Sequence, residues 1–196
     1  MLFRSMATRR EYPDPQDPRI VEAARAAIAQ AKASGTGLVG DISNTLVTAP
    51  LLRDAGLPAR LFFELLGFNA PDPGARVADA RAALAACASP DVRPSVAAHA
   101  PYSVSPALFG AIRSDLDAHA GDMASVHLGE SLEEVEFIRR GTGPWRTMLE
   151  RLGVWNPDWE PADASPVDYL DGLGFLDSRV LAVHGVQLDR KSTRLN

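Results

Sequence analysis

The sequence predicts an α/β protein built on parallel strands, and three observations carry that expectation. Short apolar runs recur at residues 37–42, 59–65, 94–99, 123–128 and 180–186. Stretches with helical spacing separate most of them. Each run is short and apolar at consecutive positions, which is how strands covered on both faces read. About five such βα units fit either an open doubly wound sheet or an incomplete (β/α)8 barrel. A closed barrel takes eight strands and typically about 250 residues, against the 196 of this chain. No internal sequence repeat points to a solenoid.

Taken in order, residues 1–18 are polar, rich in Arg and Pro, and without a period, so they read as a loop. A helix follows over 18–34. Ile20, Ala24, Ala27, Ile28 and Ala31 recur at near-helical spacing, Asp17 is a candidate N-cap, Pro18 suits the first helical position, and Gly35 can close the end in a left-handed conformation. Further helices are expected at 51–55, 72–88, 105–118, 132–139 and 167–172. Ser105 before Pro106 reads as an N-cap, and Ser131 with Glu134 forms the S-x-x-E pattern of a capping box. Residues 141–166 break the alternation. This stretch is rich in Pro and Gly, is helical only around 145–152, and holds all three tryptophans, Trp145, Trp155 and Trp159. It reads either as a satellite aromatic cluster over a helix or as a lid on a pocket, because long connections are often functional.

Bulk properties narrow the function classes. Apolar residues make up 46% and charged residues 23%, ordinary for a globular protein. A net charge of −5 gives no footing for nucleic acid, which needs clustered Lys and Arg. No apolar run approaches the roughly 20 residues of a bilayer span, and the N-terminus lacks the apolar core of a secretory signal. The single cysteine, Cys87, excludes an internal disulfide and fits a reducing, cytoplasmic setting. It is expected as a small apolar residue in an alanine-rich helix. The partner expected is therefore a small molecule, with no nucleic acid and no membrane.

Chemistry concentrates at strand ends. Three of the four histidines, His99, His127 and His184, close predicted strands, and in a parallel α/β fold those ends share one face. His119 lies near a helix end and is expected to cap carbonyls or face water. A neutral imidazole is a good zinc or iron ligand. Glu130, three residues after His127, could take a proton from a metal-activated water without being a ligand. The same Glu130 also suits the entry to the next helix, where an acid complements the helix dipole. No G-x-G-x-x-G or G-x-S-x-G string is present, so neither a dinucleotide site nor a serine hydrolase is supported.

Three strings then carry a resemblance: HAPYSVSP (99–106), SVHLGESLEEVEFIRRGTGPW (125–145) and SPVDYLDGLGFLDSRVLAVHGVQL (165–188). Together with GDISNT (40–45) they resemble the middle of the amidohydrolase superfamily, nearest its S-adenosylhomocysteine, aminofutalosine and chlorohydrolase branch. The resemblance implies a partial (β/α)8 TIM barrel holding about strands 2–6, over residues 19–188. It implies His127 as metal ligand, Glu130 as proton shuttle, and His184 as partner of the attacking hydroxide. It also implies His99, and on weaker grounds Glu64 and Phe63, as substrate-contacting residues. The cofactor implied is one divalent ion, zinc or iron, and the reaction is deamination of an aminated heterocycle by metal-activated hydroxide. Dechlorination or cyclic-amide hydrolysis by the same architecture is the alternative, and an inactive half-barrel or binding module is the third reading. The family's HxH pair and its last aspartate ligand have no counterpart here. The chain is accordingly expected to be an internal fragment that is inactive alone, with exposed sheet edges that favour a homo-oligomer. Its last residues, 189–196, resemble the translation of a sequencing adapter.

Overall fold

The structure, a computed structural model, describes residues 14–188. The expectations for the first residues of the leading loop and for the adapter-like residues 189–196 fall outside the described residues. The contacts divide the chain into two compact units. One runs up to Phe63 and includes Ala83–Pro94; the other comprises Glu64–Ala82 and the chain from Ser95 onward.

The first unit begins with α1 (Pro18–Ala33). Asp17 caps it as the sequence predicts, its carboxylate accepting the backbone N–H of Arg19 at 2.9 Å. Gly35, at φ +85°, turns the chain out of the helix while Thr36 N–H donates to the Ala31 carbonyl at 3.0 Å. Strand β1 (Val39–Ser43) then pairs in parallel with β2 (Ala59–Leu65), in register from Val39 opposite Ala59 to Ser43 opposite Phe63. Between them, α2 (Thr48–Asp54) is tied to β1 by a hydrogen bond from the Thr48 hydroxyl to the half-buried Asp41 carboxylate. Burial raises the Asp41 pKa above the ordinary carboxylate value, and the Thr48 bond opposes that rise. The core here is Leu52, Leu57, Ala59, Leu61 and Val92, with Ile28, Ala31 and Cys87 packed against it. Cys87 lies beyond the end of its helix, α3 (Pro73–Ala85), and is only partly buried, so the placement inside a helix needs correcting.

β2 is followed by β3 (Val92–Ala98), and the sheet order is β1-β2-β3. In the second unit, α4 (Pro106–Ala118) leads to β4 (Ala124–Leu128). A backbone bond from His127 N–H to the His99 carbonyl, 2.8 Å, ties the exit of β3 to β4. β4 pairs in parallel with β5 (Val180–His184), His127 lying opposite Val183 and Leu128 opposite His184. Between these strands come α5 (Leu132–Arg140), α6 (Pro144–Arg151) and α7 (Pro166–Gly172). The architecture is an α/β fold with parallel strands, as predicted. The expectation of strands covered on both faces holds for β2 and β4 but not for β1 and β5. In those two strands Ile42 and Leu181 stay exposed.

Local sequence explains the helices. Ser105 Oγ accepts Leu108 N–H at 3.1 Å, and Leu108, Phe109, Ile112 and Leu116 of α4 are fully buried on one face. Ser105→Ala is expected to lower stability by about 1 kcal/mol, read as a shift of the urea midpoint at constant m-value. α5 ends at Gly141, φ +65°, whose N–H donates to the Phe137 carbonyl at 2.8 Å. His119 closes α4, its Nδ1 lying 2.7 Å from the Asp115 carbonyl oxygen, in the capping place expected for it.

The tryptophan-rich stretch divides. Trp159 stacks on Phe137 (centroids 4.8 Å apart, 10° between planes) and Trp155 on Phe68 (5.5 Å, 19°), forming the satellite cluster. Trp145 instead stacks on Tyr102 (4.0 Å, 5°), beside His99. Among the described residues no helix is long and apolar enough to cross a membrane.

Candidate active site

Strand ends supply the site, and all its members belong to the second unit. Glu64 stands near the end of β2, His99 follows β3, His127 is in the last turn of β4, and His184 ends β5. Glu130 follows β4 by two residues, beyond Gly129 at φ +62°. A Cβ at Gly129 would come 3.2 Å from the Leu188 side chain, so both backbone conformation and space favour glycine where the strand turns toward α5.

His127 is the hub. Its Nε2 lies 3.2 Å from Glu64 Oε1 and its Nδ1 lies 3.1 Å from His184 Nε2. The ring thus turns one nitrogen toward the Glu64 carboxylate and the other toward His184. The His99 ring meets His127 edge-on at 5.3 Å between centroids, and its Nδ1 lies 2.5 Å from the Ser103 hydroxyl, which fixes the ring's orientation. His184 Nε2 is also 3.6 Å from Glu130 Oε1, so it sits between the hub and the acid.

His184 holds a backbone φ of +81°, which is costly for a residue with a Cβ, on the order of 1–3 kcal/mol. The loop beyond it is pinned from both ends. Gly185 N–H donates to the Leu128 carbonyl (3.0 Å) and Gln187 N–H to the Gly129 carbonyl (2.8 Å). Such strain persists where surrounding bonds enforce it, and it collects at functional sites.

One oxygen or nitrogen each from Glu64, His99 and His127 lies within 4.8 Å of the others. Two imidazoles and a carboxylate, largely withdrawn from water, are a donor set suited to zinc or ferrous iron. The residues present therefore fit a divalent cation. The family resemblance implies His127 as metal ligand and Glu64 and His99 as substrate contacts; one donor atom from each lies within 4.8 Å of the others. The structure also brings Glu130 and His184 to the same place. Phe63 is not among the residues gathered there: it precedes Glu64 on β2 and so faces the other side of the strand.

Two further residues frame the site. Tyr102 of the HAPY string is buried, and burial, with the neighbouring Glu130, Glu134 and Glu64 charges, pushes its hydroxyl pKa up, so it stays protonated. Glu134 is fully buried, and its two carboxylate oxygens accept the backbone N–H groups of Gly129 and Glu130, at 2.9 Å each. Burial pushes its carboxyl up to about 7 while the two backbone bonds oppose the rise. The S-x-x-E pattern announced a helix cap, and the Ser131 half is as expected, Ser131 Oγ accepting Glu134 N–H at 3.3 Å. The carboxylate, however, passes beyond Ser131 to the two preceding peptides. The sequence signal was thus present but pointed to the wrong amides.

Comparison with known proteins places the chain in a family. A family profile described as "Amidohydrolase family" matches residues 16–196. The aminodeoxyfutalosine deaminase of Deinococcus radiodurans is 35% identical over 190 residues, covering 87% of this chain and 43% of that protein. The crystal structure of Helicobacter pylori aminofutalosine deaminase in complex with methylthio-coformycin superposes with a TM-score of 0.71 at 28% identity, covering 86% of this chain and 40% of that one. An adenosine deaminase structure from Xanthomonas campestris with bound zinc shares the fold at a TM-score of 0.64 and 23% identity, covering 88% and 36%. The chain spans less than half the length of the relatives it matches. Since that family profile matches most of its length, this chain belongs to the amidohydrolase family.

Proposed function

We propose that the protein acts as a metal-dependent hydrolase of carbon–nitrogen bonds other than peptide bonds, removing the amine from an aminated heterocycle as ammonia. The observation that carries this reading is the junction at His127, which faces Glu64 on one side and the His184–Glu130 pair on the other. The named activities of the relatives support the same substrate class. The chain covers 43% of the Deinococcus protein, and the activity is proposed for the whole protein. In that reading the five strands correspond to about strands 2–6 of a (β/α)8 barrel.

His127 would hold the cation, with Glu64 and His99 in reach of the same ion. A divalent cation lowers the pKa of a water it holds to near 7 and so supplies a nucleophile at neutral pH. The other roles belong to this chain. Glu130 accepts the proton released by the water and returns it to the amine nitrogen as the carbon–nitrogen bond breaks. Its carboxylate can do both because it is partly exposed and stands outside the donor cluster. His184 donates from Nε2 to the oxygen on which negative charge develops. One water is consumed and one ammonia released. The stack of Tyr102 and Trp145 beside His99 offers an aromatic wall for a planar ring.

The test is an ammonia-release assay on the purified protein against aminated purine nucleosides, with chloride release and ring opening measured in parallel. Ammonia release that is lost on chelation and restored by zinc or iron is expected. Chloride release or ring opening in its place would move the protein to the alternative chemistries, and turnover indifferent to chelation would overturn the metal's role. In the same preparation, His127→Ala is expected to lower bound metal to below one tenth of the wild-type stoichiometry, measured by atomic emission.

A further inference from the structure

We propose that Glu134 is a positioning residue for Glu130, its carboxylate clamping the Gly129 and Glu130 peptides so that the Glu130 side chain leaves the backbone in one fixed direction. The proposal rests on the reading of Glu130 as proton shuttle. It starts from a departure from the expected cap. A capping box spends its carboxylate on the N–H of the cap residue itself, at the helix surface. Here the Ser131 hydroxyl caps α5 alone, and Glu134 reaches past it to the amides one and two residues earlier. A carboxylate serving only the helix would have no reason to be fully buried, because taking it out of water is costly. The two bonds it makes are charge-assisted, and both fall on the three-residue link between the metal-site strand and α5.

The geometry of the link explains why a clamp is needed. Gly129, at φ +62°, is the residue type with the fewest intrinsic restraints on its backbone. Left to itself, such a hinge would let the following side chain swing. Gly129 in a left-handed conformation also turns successive N–H groups toward one side, a concavity that suits an anion. Glu134 fills that concavity from within the chain. The remaining restraint is the bond from Gln187 N–H to the Gly129 carbonyl, which holds the other edge of the same peptide. The acid is thereby fixed relative to His184, its 3.6 Å neighbour. Misplacement of a reacting group by about 1 Å can cost on the order of 10²-fold in rate.

Glu134→Gln preserves shape but turns one acceptor into a donor that faces a backbone N–H. Two readouts follow, and Ser131→Ala, which removes the cap and leaves the clamp, is the structural control. First, amide hydrogen exchange followed by NMR should show Gly129 and Glu130 losing at least tenfold protection in Glu134→Gln, with the β4 amides unchanged. Unchanged protection of those two amides overturns the proposal, whether or not the preparation turns over substrate. Second, Glu134→Gln should lower kcat about 10- to 100-fold at unchanged KM and metal content, and add no further loss to Glu130→Gln, whereas Ser131→Ala should lower the melting temperature without lowering kcat. Independent, multiplying losses in the double variant overturn it, as does a kcat loss in Ser131→Ala equal to that in Glu134→Gln. If Glu134→Gln does not fold, Glu134→Asp, one methylene shorter, takes its place with the same expectations. Full turnover by Glu130→Gln would sink the shuttle reading alone, since the amide readout reports the clamp independently.

Discussion

Replacing Glu130 by glutamine is expected to lower kcat by about 10²–10⁴-fold, the range that a positioned acid–base group supplies. Metal content, KM and melting temperature should stay at wild-type values. The physical grounds are specific. Glutamine keeps the volume and one acceptor but can neither take up nor give back a proton at neutral pH. Glu130 is not one of the three residues whose donor atoms converge within 4.8 Å, so its loss leaves that set intact. The group is partly exposed, and its carboxylate makes its ionic contact with His184 at 3.6 Å, so little packing depends on it. The checking measurement is steady-state ammonia release with metal quantified in the same sample. Retained turnover would transfer the proton's path to Glu64, whose carboxylate lies 3.2 Å from His127.

The second large effect is on stability. Phe137→Ala is expected to cost about 3–5 kcal/mol, as truncation of a fully buried aromatic does. Phe137 is wholly buried on α5, stacks on Trp159 at 4.8 Å and meets Phe68 edge-on at 5.7 Å. Removing its ring opens a cavity between two aromatics that cannot collapse without moving the helix that follows Glu130. Leu132, on the same helix but 69% exposed, is the contrast. Leu132→Ala should fall within about 0.5 kcal/mol of wild type. Urea unfolding of the two variants side by side checks this. Equal midpoints would mean that the aromatic cluster does not hold α5 in place.

Much of this was legible in the chain because it is encoded over a few residues. The five apolar runs became five strands, since a short buried strand needs only consecutive apolar side chains. Asp17, Ser105 and Ser131 capped helices where they stood because a cap is a bond between residues two or three apart. His127 and Glu130 fell together for the same reason: three residues and one turn join them.

What needed the tertiary structure was every choice between distant partners. Glu64 and His127 are 63 positions apart, and only the packing of the ends of β2 and β4 brings the carboxylate within 3.2 Å of the imidazole. The three tryptophans share one segment, yet two join Phe68 and Phe137 while Trp145 turns to Tyr102, because the fold offers two separate apolar surfaces there. The same limit governed Glu134. Its spacing from Ser131 announces a cap, but the left-handed Gly129 presents its amide and the next one to the carboxylate, one and two residues further back. The strand–helix alternation, the caps and the strand-end placement of His99, His127 and His184 are written in the chain over a few residues each. Which of those side chains touch is settled only in the folded state, because contact depends on strand register and burial, which no stretch of a few residues contains.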